Sequence, residues 1–291
     1  MSWPVKRGHW SLVIGHRKSG HWSLVLGHGL SVALLLALPV GARAADSWAA
    51  KAGQMNRKEI SADQAEQAAQ GRDEDRRNKI AIRRIKPAAK GVDWDTDPTA
   101  VPYMLYQANK RTELPVYVNN DGLDPATPEL FRHTVIYFTS HNRYSLNEKE
   151  AANLALWLKR GGSILLDDCY LRGSGFAEST RPEVSKLVPG AEPILLLKED
   201  ARVADAFKIV YPTPWPGECG LFENRPWQYF VVDGRPAIFF DPNDDGCAWE
   251  VSTPPSASNP LGEGIGHGGD NTQREIVYQW AVNWLLYAYT H

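Results

Sequence analysis

The chain has 291 residues, a formal net charge of −2 and a hydrophobic fraction of 43%. This near-neutral balance lacks the basic footprint that nucleic-acid binding requires, so we predict no nucleic-acid partner. A core of about 200 residues buries roughly 70% of its unfolded surface, so the chain does not depend on a disulfide or a metal to fold.

Residues 1–45 have the pattern of a signal peptide. Basic residues such as Lys6 precede an apolar run over 30–40, which is too short to span a bilayer. Ala42 and Ala44 then supply the small-x-small pattern of a cleavage site. We predict cleavage and a periplasmic or extracellular location, and an uncleaved membrane anchor is the alternative.

A short tandem repeat lies inside this segment, because GHWSLVIGH (8–16) recurs as GHWSLVLGH (20–28). Two copies are too few for a solenoid, which needs about three. The next segment, 46–91, is charged and lacks an apolar stripe, so it is predicted to be a helical or partly disordered linker. The folded domain is predicted to cover 92–291.

The pattern of this domain is that of an α/β protein. The predicted elements in chain order are a helix over 99–111, strands over 114–120 and 134–140, a helix from Ser145 to Gly161, a strand over 163–168, a short helix over 183–188, a strand over 193–198, a hairpin over 228–241 and a final helix from Asp270. The strand–helix–strand unit over 134–168 must cross over right-handed into a parallel sheet. Ser145 with Glu148, and Thr272 with Glu275, match capping boxes for two helices.

Polar side chains follow the ends of three predicted strands. Ligands of open parallel sheets bind beyond the carboxyl ends of the strands, so these side chains should share one edge if the strand over 236–241 is also parallel. The candidate ligand-binding residues are His141, Asp167, Asp168, Asp244, Trp249 and Glu250. Together with thiols, such groups could hold a metal, carry out acid–base chemistry or bind a polar ligand. The aspartates could instead cap turns, and no catalytic residue, metal or cofactor is assigned.

Three cysteines follow the signal peptide: Cys169, Cys219 and Cys247. In an oxidising compartment they allow one disulfide and one thiol, and the sequence leaves all three pairings open. Cys169 could act as a nucleophile with His141 as its base and Glu250 as the group that orients the base. The glycines that surround such a nucleophile are absent, so a structural thiol or a half-cystine is favoured.

The segment DPNDDG (241–246) matches the first half of a calcium loop. The complete loop requires a bidentate glutamate at its twelfth position, which is Ser252 in this chain. An ordinary aspartate-rich turn is therefore favoured.

Five segments carry a resemblance to a known family: DPT (97–99), FRHTVIYFTSH (131–141), LKRGGSILLDDC (158–169), DDGCAWE (244–250) and VNWLLYAYTH (282–291). Their order and spacing resemble the bacterial family called domain of unknown function 4159 (DUF4159). The resemblance implies a class I glutamine amidotransferase-like fold, a three-layer α/β/α sandwich with a mainly parallel sheet. It also implies partners in the envelope, because such domains often accompany membrane-associated ATPase and von Willebrand-type modules.

Amidotransferases of that superfamily carry a nucleophilic cysteine on the turn that follows a Gly-Gly-strand segment. In this chain Asp168 stands at that position, Cys169 comes one residue later, and the flanking glycines are missing. We therefore expect an exported, non-catalytic module of the cell envelope that binds a ligand or a partner. The alternative is a hydrolase, with or without a metal, that uses the strand-end histidine and carboxylates.

Overall fold

The computed structural model describes residues 78–169, 175–197, 225–265 and 269–291. The predicted signal peptide, the linker up to residue 77 and Cys219 lie outside these ranges. No helix within them combines the length and the hydropathy needed to cross a membrane.

Six strands form one mixed sheet. Their bounds are β1 Arg83–Arg84, β2 Val135–Ser140, β3 Ser163–Asp168, β4 Ile194–Leu195, β5 Gln228–Val232 and β6 Arg235–Asp241. The order across the sheet is β1-β2-β3-β6-β5-β4. Strands β1, β2, β3 and β6 run parallel, and β5 and β4 are added antiparallel. The predicted α/β class with a mainly parallel sheet is confirmed.

Helices connect and cover the strands. They are α1 Ala100–Thr112, α2 Glu148–Lys159, α3 Gly175–Leu187, α4 Asp245–Trp249 and α5 Asn271–Thr290, with a 3-10 helix over Pro128–Arg132. The predicted helices over 99–111 and from Asp270 are confirmed. The helix predicted over 183–188 begins earlier, at Gly175, and contains Pro182.

Both predicted capping boxes were placed at the wrong residues. In α2 the cap is Asn147, whose side chain accepts the backbone N–H of Glu150 while Glu150 accepts the N–H of Asn147. In α5 the same exchange joins Asp270 and Gln273. Asn and Asp cap as well as Ser and Thr, and each lies two residues from the residue that the sequence pattern selected.

The strand predicted over 114–120 is also wrong. Val116 makes only an isolated bridge to Ile80. The edge of the sheet is instead β1, which pairs with β2 through Arg83 and Arg84. This strand precedes Val92, so the sheet begins within the segment that the sequence assigns to the linker.

Two hydrophobic clusters cover opposite faces of the sheet. Successive residues of a strand point to opposite faces. Val135 and Tyr137 therefore pack with α1, α4 and α5, whereas Ile136 and Phe138 pack with α2 and α3. The same alternation directs Asp167 to the face of α1 and α4, and Asp168 to the other.

The predicted hairpin over 228–241 is confirmed as β5 and β6. Strand β6 runs parallel to β3, with Asp167 opposite Asp241. The carboxyl ends of β2, β3 and β6 consequently meet at one edge of the sheet. The turn that precedes α1 brings Asp93 and Asp97 over the same edge.

Candidate functional site

The floor of the site is a pair of buried aspartates at the ends of β3 and β6. Asp167 accepts hydrogen bonds from the hydroxyl of Tyr137, 2.5 Å away, and from the backbone N–H of Gly246, 2.8 Å away. Asp241 accepts the backbone N–H groups of Asn243 and Asp245, at 2.8 and 3.0 Å. Asp241 therefore caps the turn into α4, as the aspartate-rich-turn interpretation predicted.

Asp167 and Asp241 lie opposite each other in the paired strands β3 and β6, so the two buried carboxyl groups act on each other. Burial raises the pKa of both groups well above the usual range, and their mutual repulsion raises the pKa of Asp167 further. This pair is a fixed structural base beneath the site.

Above this floor lie two thiols and two carboxylates, which we call the Cys/Asp cluster: Asp97, Cys169, Asp244 and Cys247. One ligand atom from each residue lies within 4.8 Å of the others, and all four residues are buried. The two sulfurs are 3.9 Å apart, well beyond the length of an S–S bond, and both thiols are free. The structure thus leaves Cys169 and Cys247 as a close pair of thiols.

Helix α4 delivers two members of the Cys/Asp cluster through unusual local geometry. Asp244, the residue before α4, has a left-handed backbone with φ 62°, which aspartate adopts more readily than most residues. Gly246 lies so close to the floor that a Cβ atom there would be 2.5 Å from a carboxylate oxygen of Asp167 and 2.8 Å from one of Asp97. Only glycine permits this approach.

The Cys/Asp cluster brings four acidic groups close together. Burial raises the pKa of Asp97 well above the usual range, and Cys169 adds to the increase. Burial likewise raises the pKa of Asp244 to about 12. The hydrogen bond between the two thiols favours a thiolate on Cys169 and lowers the pKa of Cys169 to about 4. The same hydrogen bond raises the pKa of Cys247. The four groups cannot all be ionised without a compensating cation.

A second arrangement shares Cys169, and we call it the thiol–imidazole–carboxylate chain: Cys169, His141 and Asp93. The sulfur of Cys169 is 3.2 Å from Nε2 of His141, and Nδ1 of His141 is 2.6 Å from Oδ2 of Asp93. The other oxygen of Asp93 accepts the backbone N–H of His141 and the hydroxyl of Ser140. Thr96 also contacts the imidazole, at 3.1 Å.

The hydrogen bonds of the thiol–imidazole–carboxylate chain shift the pKa values of its members, and part of this arrangement is exposed to solvent. The hydrogen bond to Cys169 raises the pKa of His141 to about 9. Burial opposes ionisation of Asp93, but its hydrogen bonds to Ser140 and His141 outweigh it and lower its pKa. The side chain of His141 is 45% exposed, whereas Cys169 beneath it is 5% exposed. His141 therefore stands at the mouth of the site.

Comparison with known proteins gives a family but no activity. The model of a family described as a domain of unknown function (DUF4159) matches residues 81–289. The chain belongs to this family. No curated protein matches it.

Some of the candidate residues predicted for this DUF4159 domain lie at the site in the structure, and others lie away from it. His141 and Asp244 line the site, and Asp167 lies beneath it. Asp168 points toward the opposite face of the sheet. Trp249 is fully buried against Tyr137, with ring centroids 5.8 Å apart, so it packs in the core.

Glu250 has a structural contact. Its Oε1 accepts both the backbone N–H and the hydroxyl of Thr99, each at 3.2 Å, just ahead of α1. Burial raises the pKa of Glu250 to about 7. The orienting carboxylate that the sequence assigned to Glu250 is instead Asp93.

Sequence reasoning missed Asp93, Thr96 and Asp97. They lie in the segment DWDTDP, which has the composition of a turn ahead of the first helix. One signal was available, because Asp97 opens the DPT motif that carries the family resemblance. The turn contains aspartate and threonine, and the side chains of both residue types can bind polar atoms as well as stabilise a turn.

Proposed function

We propose that the chain is an exported module of the cell envelope that binds a small ligand at the carboxyl ends of its strands. The proposal includes a cleaved signal peptide, a periplasmic or extracellular location and membrane-associated envelope proteins as partners. The apolar run over 30–40, followed by Ala42 and Ala44, supports export. The family match and the helices on both faces of the sheet support an amidotransferase-like sandwich.

The burial of the Cys/Asp cluster is the observation that supports the binding function. Asp97 and Asp244 are 2% and 4% exposed, and the thiols beside them are equally buried. Ionisable groups inside a protein cost free energy unless they are paired or bind a ligand. A cluster of this kind suits a ligand small enough to be surrounded by these side chains.

A hydrolase is the second candidate, and the thiol–imidazole–carboxylate chain is the observation that favours it. A nucleophile bonded to a base that a third group orients is the arrangement used in covalent catalysis. The thiolate of Cys169 would attack a substrate acyl carbon, and the protonated His141 would give its proton to the alcohol or amine that leaves. Water, activated by the now neutral His141, would then hydrolyse the thioester and regenerate the thiol, while Asp93 holds the imidazole in place.

A ligand panel separates these two functions from a purely structural role. The melting temperature of the full chain would be measured with divalent cations, organic acids, sugars and short peptides, alongside Asp244→Asn. The matched control is Asp168→Asn, which changes a strand-end carboxylate on the other face. We expect at least one ligand class to stabilise the natural chain and the control but not Asp244→Asn. Equal shifts in all three proteins would contradict the binding function.

The hydrolase is tested on the same proteins with ester and amide substrates. Turnover that disappears in Cys169→Ser, with the fold retained by circular dichroism, would establish the second candidate. Turnover that Cys169→Ser retains would exclude Cys169 as the nucleophile.

A further inference from the structure

The spacing of the Cys/Asp cluster is itself informative about the ligand. The sulfurs of Cys169 and Cys247 are 3.9 Å apart, and each is 3.6 Å from Oδ1 of Asp97. The cluster thus contains a triangle of two sulfurs and one oxygen with nearly equal edges, and the carboxylate of Asp244 lies within the same 4.8 Å limit.

These edges are those of a coordination tetrahedron. With Zn–S bonds of about 2.3 Å and Zn–O bonds of about 2.0–2.1 Å, tetrahedral angles separate two sulfurs by about 3.8 Å and a sulfur from an oxygen by about 3.5–3.6 Å. The measured separations of 3.9 and 3.6 Å match both values. These contacts also lie within hydrogen-bonding range of thiols, and one tetrahedral cation would account for all three distances together.

A second observation points to a ligand independently of these distances. Oδ2 of Asp97 is buried and has no hydrogen-bond partner among the residues that the structure describes. The guanidinium of Arg84 is the buried cation that acts on this carboxylate, but it donates its hydrogen bond to the backbone carbonyl of Trp94. A buried carboxylate whose hydrogen-bond contacts in the described ranges are two thiols lacks the compensation that burial demands.

We propose that Asp97, Cys169, Asp244 and Cys247 bind one thiophilic divalent cation, best matched by Zn²⁺, in a closed tetrahedral site. This inference rests on the proposed binding function and names its ligand. Two thiolates exclude the hard cations Mg²⁺ and Ca²⁺, which take oxygen ligands. Because the protein supplies all four ligands, the site is of the structural rather than the catalytic type.

The thiol–imidazole–carboxylate chain would support the cation site from outside the four ligands. His141 contacts the sulfur of Cys169 and is held by Asp93, which is the outer-shell arrangement that orients a metal ligand. His141 is 45% exposed and lies directly against the buried sulfur of Cys169. A thiolate bound to the cation is withdrawn from nucleophilic attack, so cation binding and the hydrolase are mutually exclusive uses of Cys169.

The test uses the full chain, stripped with a chelator and titrated with Zn²⁺ alone. We expect one high-affinity Zn²⁺ per chain. Replacing Zn²⁺ with Co²⁺ should give a sulfur-to-cobalt charge-transfer band and the intense visible bands of tetrahedral cobalt. Cys247→Ser and Asp97→Asn should each weaken Zn²⁺ binding by more than roughly 100-fold, beyond the 10–100-fold typical of outer-shell changes.

Glu250→Gln is the matched control, because it removes a buried carboxylate next to the site that is not a ligand, and it should retain Zn²⁺. If Cys247→Ser does not fold, the isosteric Asp97→Asn decides. Zn²⁺ that remains bound in both ligand variants, for example on the histidines of the repeat over 8–28, would overturn the proposal.

The outcome also separates this proposal from the one on which it rests. If no thiophilic cation binds but an organic ligand still stabilises the natural chain and not Asp244→Asn, the cation site is wrong and the binding function stands. If nothing binds, both are wrong.

Discussion

Two buried carboxylates of this domain, Glu150 and Asp97, have opposite surroundings. Glu150 is 0% exposed, and its two oxygens accept the backbone N–H groups of Ala88 and Asn147 at 2.7 and 2.8 Å. Asp97 is 2% exposed, yet one oxygen faces two thiols at 3.6 Å and the other has no hydrogen-bond partner in the described part of the chain.

The difference separates a carboxylate that holds the fold together from one that is available to a ligand. Backbone donors satisfy Glu150 permanently, so it joins the start of α2 to the segment after β1. A cation bound between Oδ1 of Asp97 and the two sulfurs would supply the positive charge that these surroundings lack. Burial alone therefore does not identify a functional acid; Asp97 is distinguished by a missing donor together with two thiols at 3.6 Å.

Filling the space between the floor and the Cys/Asp cluster should destabilise the domain more than any other change considered. In Gly246→Ala the new methyl group would lie 2.5 Å from Asp167 and 2.8 Å from Asp97. We expect a loss of about 3 kcal/mol in the free energy of unfolding, the upper end for overpacking, together with loss of Zn²⁺ binding. Urea unfolding with and without Zn²⁺ measures both. Unchanged stability would mean that α4 does not approach Asp97 closely.

The pH dependence of stability tests a third buried acid, Glu250, whose pKa is raised to about 7 by burial. Above the pKa of the unfolded state, near 4.5, the folded chain holds more protons than the unfolded chain, so stability falls as the pH rises toward 7. We expect the chelated protein to lose up to roughly 3 kcal/mol across this window relative to Glu250→Gln. Parallel pH profiles for the two proteins would show that Glu250 does not titrate there.

Isosteric substitutions of Glu150 and Asp97 should have different effects on stability. In Glu150→Gln an amide NH₂ replaces one acceptor, so a buried backbone N–H loses its partner at a cost of about 1–3 kcal/mol. In Asp97→Asn no backbone donor is lost, so the chelated protein should change by less than about 1 kcal/mol. Urea unfolding of both variants checks this order, and equal losses would remove the distinction between the two acids.

A smaller loss of stability is expected at Glu275, a carboxylate that is hydrogen-bonded by side chains and is 37% exposed. Glu275 accepts two hydrogen bonds from Arg111, at 2.6 and 2.7 Å, on the surface between α1 and α5. Solvent screens such pairs, so Glu275→Gln should cost only about 0.3–1 kcal/mol and leave Zn²⁺ binding unchanged. A larger loss would indicate that this pair contributes to packing of the two helices beyond its charge.

The sequence predicted the elements whose signal is local. Strands β2, β3 and β6 are continuous apolar runs that end in polar residues, and this pattern alone was enough to assign His141, Asp167 and Asp244 to one edge of the sheet. The caps of α2 and α5 were misplaced by two residues because several polar residues near each helix start can serve as a cap.

The rest depended on contacts between distant segments. Asp93 and Asp97 belong to a turn whose position over the sheet is set by packing of α1, and no periodicity reveals it. The short strand β1 was assigned to the linker because two arginines do not resemble a buried strand. Glu250 was predicted to be a site residue, but its carboxylate instead accepts hydrogen bonds from Thr99. The sequence could not show this, because only the structure reveals which donors a carboxylate contacts.

Zinc K-edge X-ray absorption on the Zn²⁺-loaded full chain tests the cation site by reading its ligands directly. We predict two sulfur neighbours at about 2.3 Å and two oxygen neighbours at about 2.0–2.1 Å, the shell that Cys169, Cys247, Asp97 and Asp244 would provide. A shell of nitrogen and oxygen without sulfur would rule out the Cys/Asp cluster as the cation site, because zinc would then be bound elsewhere on the chain.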